Sequence, residues 1–425
     1  MRSFVGIYCL LSFSAPLSAQ ELRAGVATVD ITPPVGYAMW GYGARHDKPS
    51  VGVLDPLHAR ALVLDTGGER IAIVALDLGR APPRQSTAAI EKAVKSEAGV
   101  NHIFLVGSHT HHGPVIEVDT WPNPEHSYVR ELEKKLSGVI VEAAKSLQPA
   151  RLGIASKEVP YNRNRHSQRP EPQVDREFLV LRIDSMDGKP IAYAVNFAAH
   201  PTMYDAKMMK FSADYPGALS ELVQKETGAP CLFLQGAAGD MSTNRGPAPG
   251  PVEFGRLLGH EVLALASTIH PTSPKEGTLQ VAEDTFRFKS RVDLNNPAIG
   301  MIFVRAFYRD LEAFYEREYK EGVRPRMTTA LLDGRIGIVG VSGEFFCGHS
   351  LALKRRARLE HVLFLGYCND YQQYFPTIEA ASEGGYGADA GVSTAEVGAG
   401  EQMIDRALIH LYKMRGKLAD LRVGG

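Results

Sequence analysis

Gly107-Ser108-His109-Thr110-His111-His112-Gly113-Pro114 follows the apolar run His102-Ile103-Phe104-Leu105-Val106, and this junction decides the fold. The run reads as a buried strand. Three imidazoles then stand at its C-terminal end, where open α/β sheets place their ligands. Imidazole is the commonest protein metal ligand, and the alternation of His109 and His111 can aim both at one cavity. A polar loop with satisfied histidines accounts for the same letters, so the weight falls on the rest of the chain.

The chain has 425 residues, 44% hydrophobic and 22% charged. That is ordinary globular composition. The formal charge of −1 supplies no basic field to hold nucleic acid. Residues 1–19 carry the order of an export signal: Arg2, an apolar stretch from Phe4 to Phe13, and Leu17-Ser18-Ala19 as a small-residue cleavage site. The expectation is a secreted or periplasmic protein. Of four cysteines, Cys9 lies in that signal, and Cys231, Cys347 and Cys368 remain. No Cys-x-x-Cys pair exists, so a structural zinc knuckle is not expected, while one disulfide is allowed.

Apolar runs alternate with amphipathic helical patterns through most of the length. The strand runs are Ala61 to Leu64, Ile71 to Leu76, His102 to Val106, Phe178 to Ile183, Ile191 to Phe197, Cys231 to Leu234 and Ile336 to Val341. Arg182 within the Phe178 run predicts a less buried strand there. Helical periods span Ser86 to Val100, Glu125 to Leu147, Val252 to Ile269, Pro297 to Tyr319 and Glu401 to Tyr412. Strands separated by such helices predict an α/β fold of layered sheets and helices. No linker or repeat interrupts it, so residues 22–425 are read as one catalytic domain with its active site at the C-terminal ends of strands.

Several of those ends carry polar residues. Asn196-Phe-Ala-Ala-His200-Pro201 closes the Ile191 run, and Gln235-Gly-Ala-Ala-Gly-Asp240-Met-Ser242-Thr-Asn244 follows the Cys231 run. Gly343-Glu344 follows the Ile336 run, and Tyr371, Tyr374 and Tyr386 fall in a Gly-rich region. Two histidines and a carboxylate suit a catalytic zinc with an open position. Calcium or magnesium prefers an oxygen-only shell. No His-Glu-x-x-His or Gly-x-Ser-x-Gly is present, which argues against a helix-borne metalloprotease and a serine hydrolase.

Here the chain resembles the neutral ceramidase family. The resemblance is carried by Ala24-Gly-Val-Ala-Thr-Val-Asp-Ile-Thr-Pro-Pro34, Ser108-His-Thr-His111 with Gly113-Pro114, and Asn162-Arg-Asn-Arg165. It continues through Asn196 to Pro201, Phe211-Ser-Ala-Asp214, Gln235 to Asn244, Gly343-Glu344 and the tyrosine region. The resemblance implies a zinc ion (Zn2+) held by His109, His200, Glu344 and Tyr374. Tyr374 is taken over its neighbour Tyr371 because Tyr386 then matches the second tyrosine of the family pattern. It also implies that His111, Arg165 and Tyr386 donate to the developing oxyanion or the fatty-acid carboxylate, and that Ser242 and Asp240 position the polar head or support the residues around the site. The implied reaction is hydrolysis of the amide of ceramide or a related N-acyl lipid to a fatty acid and an amine, at a membrane surface. Another amide or ester substrate, or a binding protein without turnover, remains the alternative. The chain departs from the family at His112 and Val115-Ile116, in the loosely matching Pro376-Thr377-Ile378, and in ending where members commonly continue into a β-sandwich domain. Met39-Trp40, Phe303, Phe307 and Phe345-Phe346 are candidate walls for the apolar entry channel a long-chain amide needs, and read as easily as core.

Overall fold

The computed structural model describes residues 21–45, 48–275, 277–293, 296, 298, 299 and 309–419. The export signal of residues 1–19 lies outside them, as do Phe303, Phe307 and most of the front of the Pro297 helix. The seven runs read as strands are all strands. Eight strands form one sheet in the order Cys231–Gln235, Pro190–Phe197, Glu177–Ser185, Gln148–Glu158, Arg23–Asp30, His58–Asp65, Arg70–Leu76, His102–Gly107. Only the pair at each end is parallel. The sheet consists of two halves joined by a two-residue ladder, Arg23 to Pro149 and Ala24 to Gln148. A second sheet holds Leu279–Thr285, Arg326–Leu332, Ile336–Val341 and His361–Leu365.

Successive side chains of a strand point to opposite faces, and here both faces are covered. Leu62, Ile73 and Phe104 from one half meet Leu181, Ala194 and Leu234 from the other, and Ala330, Ile338 and Leu363 from the second sheet. The outer faces take helices. Ile90 and Val94 of Arg84–Ala98, with Leu132, Leu136 and Ile140 of Tyr128–Lys145, pack on Ala61, Val63 and Val74. Asp214–Thr227 and Pro251–Thr268 cover Val195, Cys231 and Phe233. Arg309–Tyr319, Cys347–Ala357 and Ala399–Met414 lie over Met327, Val339 and Phe364. Each fully buried Leu, Ile or Phe contributes about 1.5–3 kcal/mol. Burial on two faces is why these strands read as continuous apolar runs rather than alternating ones.

Two expectations are corrected, and the disulfide left open is settled. The helix expected from Glu125 begins at Tyr128, because the Ser127 hydroxyl accepts from the Arg130 N–H at 3.2 Å and caps it. The Glu177–Ser185 strand is buried apart from Glu177 and Arg182, and the Arg182 guanidinium is satisfied by Asp184 and the Ala266 carbonyl. Cys231, Cys347 and Cys368 are buried and free, so the allowed disulfide is not formed.

The strand ends that matter are knitted together by Gln235. Its side-chain amide donates to the Ser108 carbonyl at 3.0 Å and the Ala199 carbonyl at 2.9 Å. Its own amide oxygen accepts from the Ala199 N–H. One fully buried side chain thereby ties the loop before His109 to the loop before His200. Gln235→Met, of similar volume, leaves buried polar groups unmatched and is expected to cost about 1–3 kcal/mol in urea unfolding. An unchanged midpoint contradicts this role.

Candidate active site

His109 leaves the end of its strand in the left-handed region, at φ 69°. That conformation is costly for a residue with a Cβ. It is held there by two bonds to one strap: the His109 N–H donates to Leu78 O at 2.9 Å, and Nδ1 lies 2.7 Å from Gly79 O. His200 Nδ1 lies 2.6 Å from Ala238 O. A carbonyl can only accept, so both Nδ1 atoms carry the proton and both Nε2 atoms present lone pairs. Those lone pairs face each other at 3.1 Å. Glu344 Oε2 joins them, 3.3 Å from His109 Nε2 and 3.1 Å from His200 Nε2. All three groups are buried.

Three acceptors at one buried point repel unless positive charge relieves them; the Arg165 guanidinium reaches His200 Nε2 at 2.9 Å, and the point shared by all three suits a cation. Protons are a poor remedy: burial, then the Arg165 charge, pushes His200 down to about 3. Burial pulls the Glu344 carboxyl up, and what holds it well below the usual carboxylate range is positive charge and N–H donation from the side of His109 and His200, a part that a cation among the three groups would take over. Ligands at zinc distances of about 2.0–2.1 Å in a tetrahedron are separated by roughly 3.3 Å. The observed separations of 3.1–3.3 Å match that edge, so these residues fit such an ion.

His111 brings a third imidazole. Its Nε2 is 3.3 Å from His109 Nε2, its Nδ1 has no partner, and burial keeps it neutral, well below 6.5. With Nδ1 unclaimed, His111 is free to carry its proton on Nε2 and donate. Arg45 fixes the loop by donating to the His111 carbonyl. Gly41, at φ 105°, makes room, since a Cβ there would lie 2.6 Å from the His111 ring.

The tyrosines divide. Tyr371 donates to Glu344 Oε1. The Tyr374 hydroxyl accepts from Arg165 Nη2 at 3.1 Å. That same nitrogen is 2.9 Å from His200 Nε2 and donates to Gly239 O. Tyr386 is largely exposed and sets its ring edge-on to Tyr374, 5.6 Å between centroids. Asp240 is structural in position: it accepts from the Cys347 N–H at 2.7 Å and from Asn164 Nδ2 at 2.8 Å, and its carbonyl takes the Arg165 N–H. It thus holds together the segments that carry Arg165 and Glu344. Ser242 pairs opposite Arg163 and bridges to the His200 backbone, and among the described residues its hydroxyl bonds no imidazole or carboxylate.

A cleft opens beside these groups, enclosing about 80 Å³ and lined by Met39, Trp40, Val115, Leu311, Tyr315 and Val392 together with His111 and Glu344. Of the expected channel walls, Met39-Trp40 are in place. Phe345 and Phe346 are not: both are fully buried, Phe345 stacked on Phe375. A cavity of about 840 Å³ near Asp55, Arg60 and Asp214 contains none of the converging groups. Sequence reading missed Tyr367, which stacks on His109 at 4.2 Å and donates to Glu344 Oε2 at 3.3 Å. The signal was present, since Gly366-Tyr367 ends the apolar run of His361–Leu365.

Fold and site define a class: a layered α/β protein with a His/Glu cluster at its strand ends beside an apolar cleft. The chain belongs to the neutral/alkaline non-lysosomal ceramidase family, whose N-terminal region matches residues 22–250, more than half of its length. It is 26% identical over 282 residues to neutral ceramidase B of Dictyostelium discoideum, covering 56% of this chain and 39% of that protein. It is 26% identical over 239 residues to a neutral ceramidase of Oryza sativa subsp. japonica, covering 51% and 30%. The chain therefore spans well under two thirds of these relatives. The crystal structure of neutral ceramidase from Pseudomonas aeruginosa superposes with a TM-score of 0.75 at 19% identity, over 95% of this chain and 76% of that one. A ceramidase complexed with C2 gives 0.76 at 18%, over 95% and 78%. At those identities the likeness is one of fold.

The neighbouring His112 supplies a pH test that avoids the His/Glu cluster. Burial, then Arg45, pushes it down to about 3, and its Nε2 lies 3.2 Å from Asp205 O. The unfolded chain takes up a proton near the ordinary value of 6.5 that the folded chain refuses. Stability is therefore complete above that value and falls as pH drops toward 3, by about 1.4 kcal/mol per unit for this one group. With chelator present, His112→Gln is expected to remove that share of the slope in urea unfolding between about pH 6 and 4.5. A slope equal to the parent's contradicts it.

Proposed function

We propose that this protein is a zinc-dependent amidohydrolase acting on ceramide or a related N-acyl lipid, releasing a fatty acid and an amine. The observation that carries the reading is the meeting of two Nε2 lone pairs and a carboxylate oxygen at tetrahedral-edge spacing in a buried site. His109, His200, Glu344 and Tyr374 would hold the ion. Tyr374 is favoured over Tyr371 because the Tyr371 hydroxyl is spent on Glu344 Oε1, whereas the Tyr374 hydroxyl accepts from the same Arg165 nitrogen that reaches His200 Nε2. When bound, zinc supplies polarisation of the carbonyl and activation of water near neutral pH.

The chain's own residues do the rest. Tyr367 and Tyr371 hold the two oxygens of Glu344, fixing its orientation. The carbonyls of Gly79 and Ala238 fix the tautomers of His109 and His200. Arg165, His111 and Tyr386 present N–H and O–H donors to charge that develops on the carbonyl oxygen. Burial works against the Arg165 charge, but Tyr374 and Glu344 beside it outweigh that and raise its pKa, so it stays cationic. Fixed donors of this kind contribute about 2.7–4 kcal/mol each to the barrier. Ser242 and Asp240 are assigned to support of the polar head and of the loop that carries Arg165. The enclosed part of the cleft is far below the roughly 300–1,000 Å³ of a drug-sized pocket, so most of the acyl chain lies along the open rim. The export signal read in residues 1–19 supports action outside the cytoplasm, on lipid at a membrane surface.

The test is cleavage of N-acylsphingosine by purified protein with and without chelator, beside short N-acyl amino acids as the competing amide class. Turnover lost to chelator and restored by zinc is expected. His109→Ala and Glu344→Gln should lose bound zinc with the fold retained. Arg165→Met should keep it while kcat drops by about 10²–10³. Turnover indifferent to chelator, or full zinc content in the ligand variants, overturns the proposal.

A further inference from the structure

The roles above leave unused a cluster of buried charges behind Trp40 and Tyr371. Arg80 is 1% exposed. It donates through Nη1 to Glu117 Oε1 at 3.2 Å, through Nη2 to Asp370 Oδ1 at 3.0 Å and through Nε to Ala81 O at 3.0 Å. Its guanidinium lies 5.3 Å from the centre of the Tyr371 ring. Glu117 Oε1 also accepts from the Trp40 indole N–H at 3.0 Å, and Oε2 from the Ile116 N–H. Asp370 Oδ2 accepts from Gln372 Nε2 at 2.8 Å and faces Arg84 at 3.6 Å.

Such a cluster is weak evidence for stability, because apolar side chains of equal volume serve a core as well or better. What a satisfied buried network does confer is fixed position. The two rings it holds both touch the candidate ligands. Trp40 stands edge-on to His109 at 5.2 Å and His111 at 5.6 Å, and Tyr371 donates to Glu344. The strap between is cut to fit: Gly79 gives its carbonyl to His109, and a Cβ there would lie 2.2 Å from the Trp40 ring.

We propose that Arg80 and Glu117 are positioning residues whose buried ion pair, braced by Asp370, fixes the Trp40 indole and the Tyr371 phenol against His109, His111 and Glu344. The effect on turnover rests on the hydrolase reading; the effect on Trp40 does not. The chain has two tryptophans, so a Trp121→Phe background leaves Trp40 as the single indole reporter. In that background Arg80→Lys keeps the charge but loses the planar fork. It is expected to shift Trp40 emission to the red, to raise acrylamide quenching, and to lower kcat by roughly tenfold to a hundredfold with KM and zinc content little changed. Glu117→Leu should behave alike, while Glu117→Gln, which keeps an oxygen for the indole, should recover much of the parent emission. Arg84→Lys, which touches neither ring, should match the parent.

Parent-like emission and quenching in both Arg80→Lys and Glu117→Leu overturns the proposal. Should Arg80→Lys fail to fold, equal emission in Glu117→Leu and Glu117→Gln overturns it instead. A parent that cleaves no N-acyl amide sinks the hydrolase reading and leaves the fluorescence test standing. A parent that turns over, with variants that match it in kcat and emission, sinks only the cluster.

Discussion

Two imidazole lone pairs and a carboxylate oxygen are held within 3.1–3.3 Å of one another in a buried site at the end of a cleft. Acceptors crowded in a buried site are costly unless positive charge or donated hydrogens meet them, and here Arg165 reaches His200 Nε2 while Tyr367 and Tyr371 donate to Glu344. The surrounding architecture can be read as the apparatus that forces the three together. Each Nδ1 is locked to a main-chain carbonyl, each carboxylate oxygen is met by a tyrosine, and each loop starts from a strand end buried in the common core.

The cost of that arrangement is visible in the backbone. His109, Tyr367, Asn369, Asp370 and Gln373 all adopt positive φ without being glycine. Residues in such conformations persist only where their surroundings over-determine them, and they gather at functional sites. Here the surroundings are specific. Tyr367 N–H donates to Gly343 O beside Glu344, Gly107 N–H donates to Tyr367 O, and the Asn369 side chain bonds the backbone at Ile103 and Leu105 on the strand that leads to His109. Strands of both sheets are thereby pinned to each other at the one place where their ends must agree.

Much of this was legible in the sequence, for a physical reason. Strands covered on both faces become unbroken apolar runs, so His102 to Val106 or Ile336 to Val341 announce themselves, and the polar residues just beyond them stand out. Arg23–Asp30 and Gln148–Glu158 did not, because their partly exposed faces mix charge with small residues. The Asp214–Thr227 helix was hidden by an opening Asp-Tyr-Pro-Gly whose first residue is left-handed. At the site, residue types were readable but contacts across long separations were not. Nothing local to Arg80 announces Asp370, 290 positions on, and nothing local to Tyr367 says that its ring will lie on His109. The choice between Tyr371 and Tyr374 likewise turns on which hydroxyl is spent on Glu344, a matter of packing rather than spacing.

The most direct test is the metal itself, by elemental analysis and X-ray absorption at the zinc edge on the purified protein. One zinc per chain is expected, with imidazole scattering and nitrogen or oxygen neighbours at about 2.0–2.1 Å. Protein that binds no zinc with His109, His200 and Glu344 intact, or an ion whose spectrum lacks histidine, would contradict it.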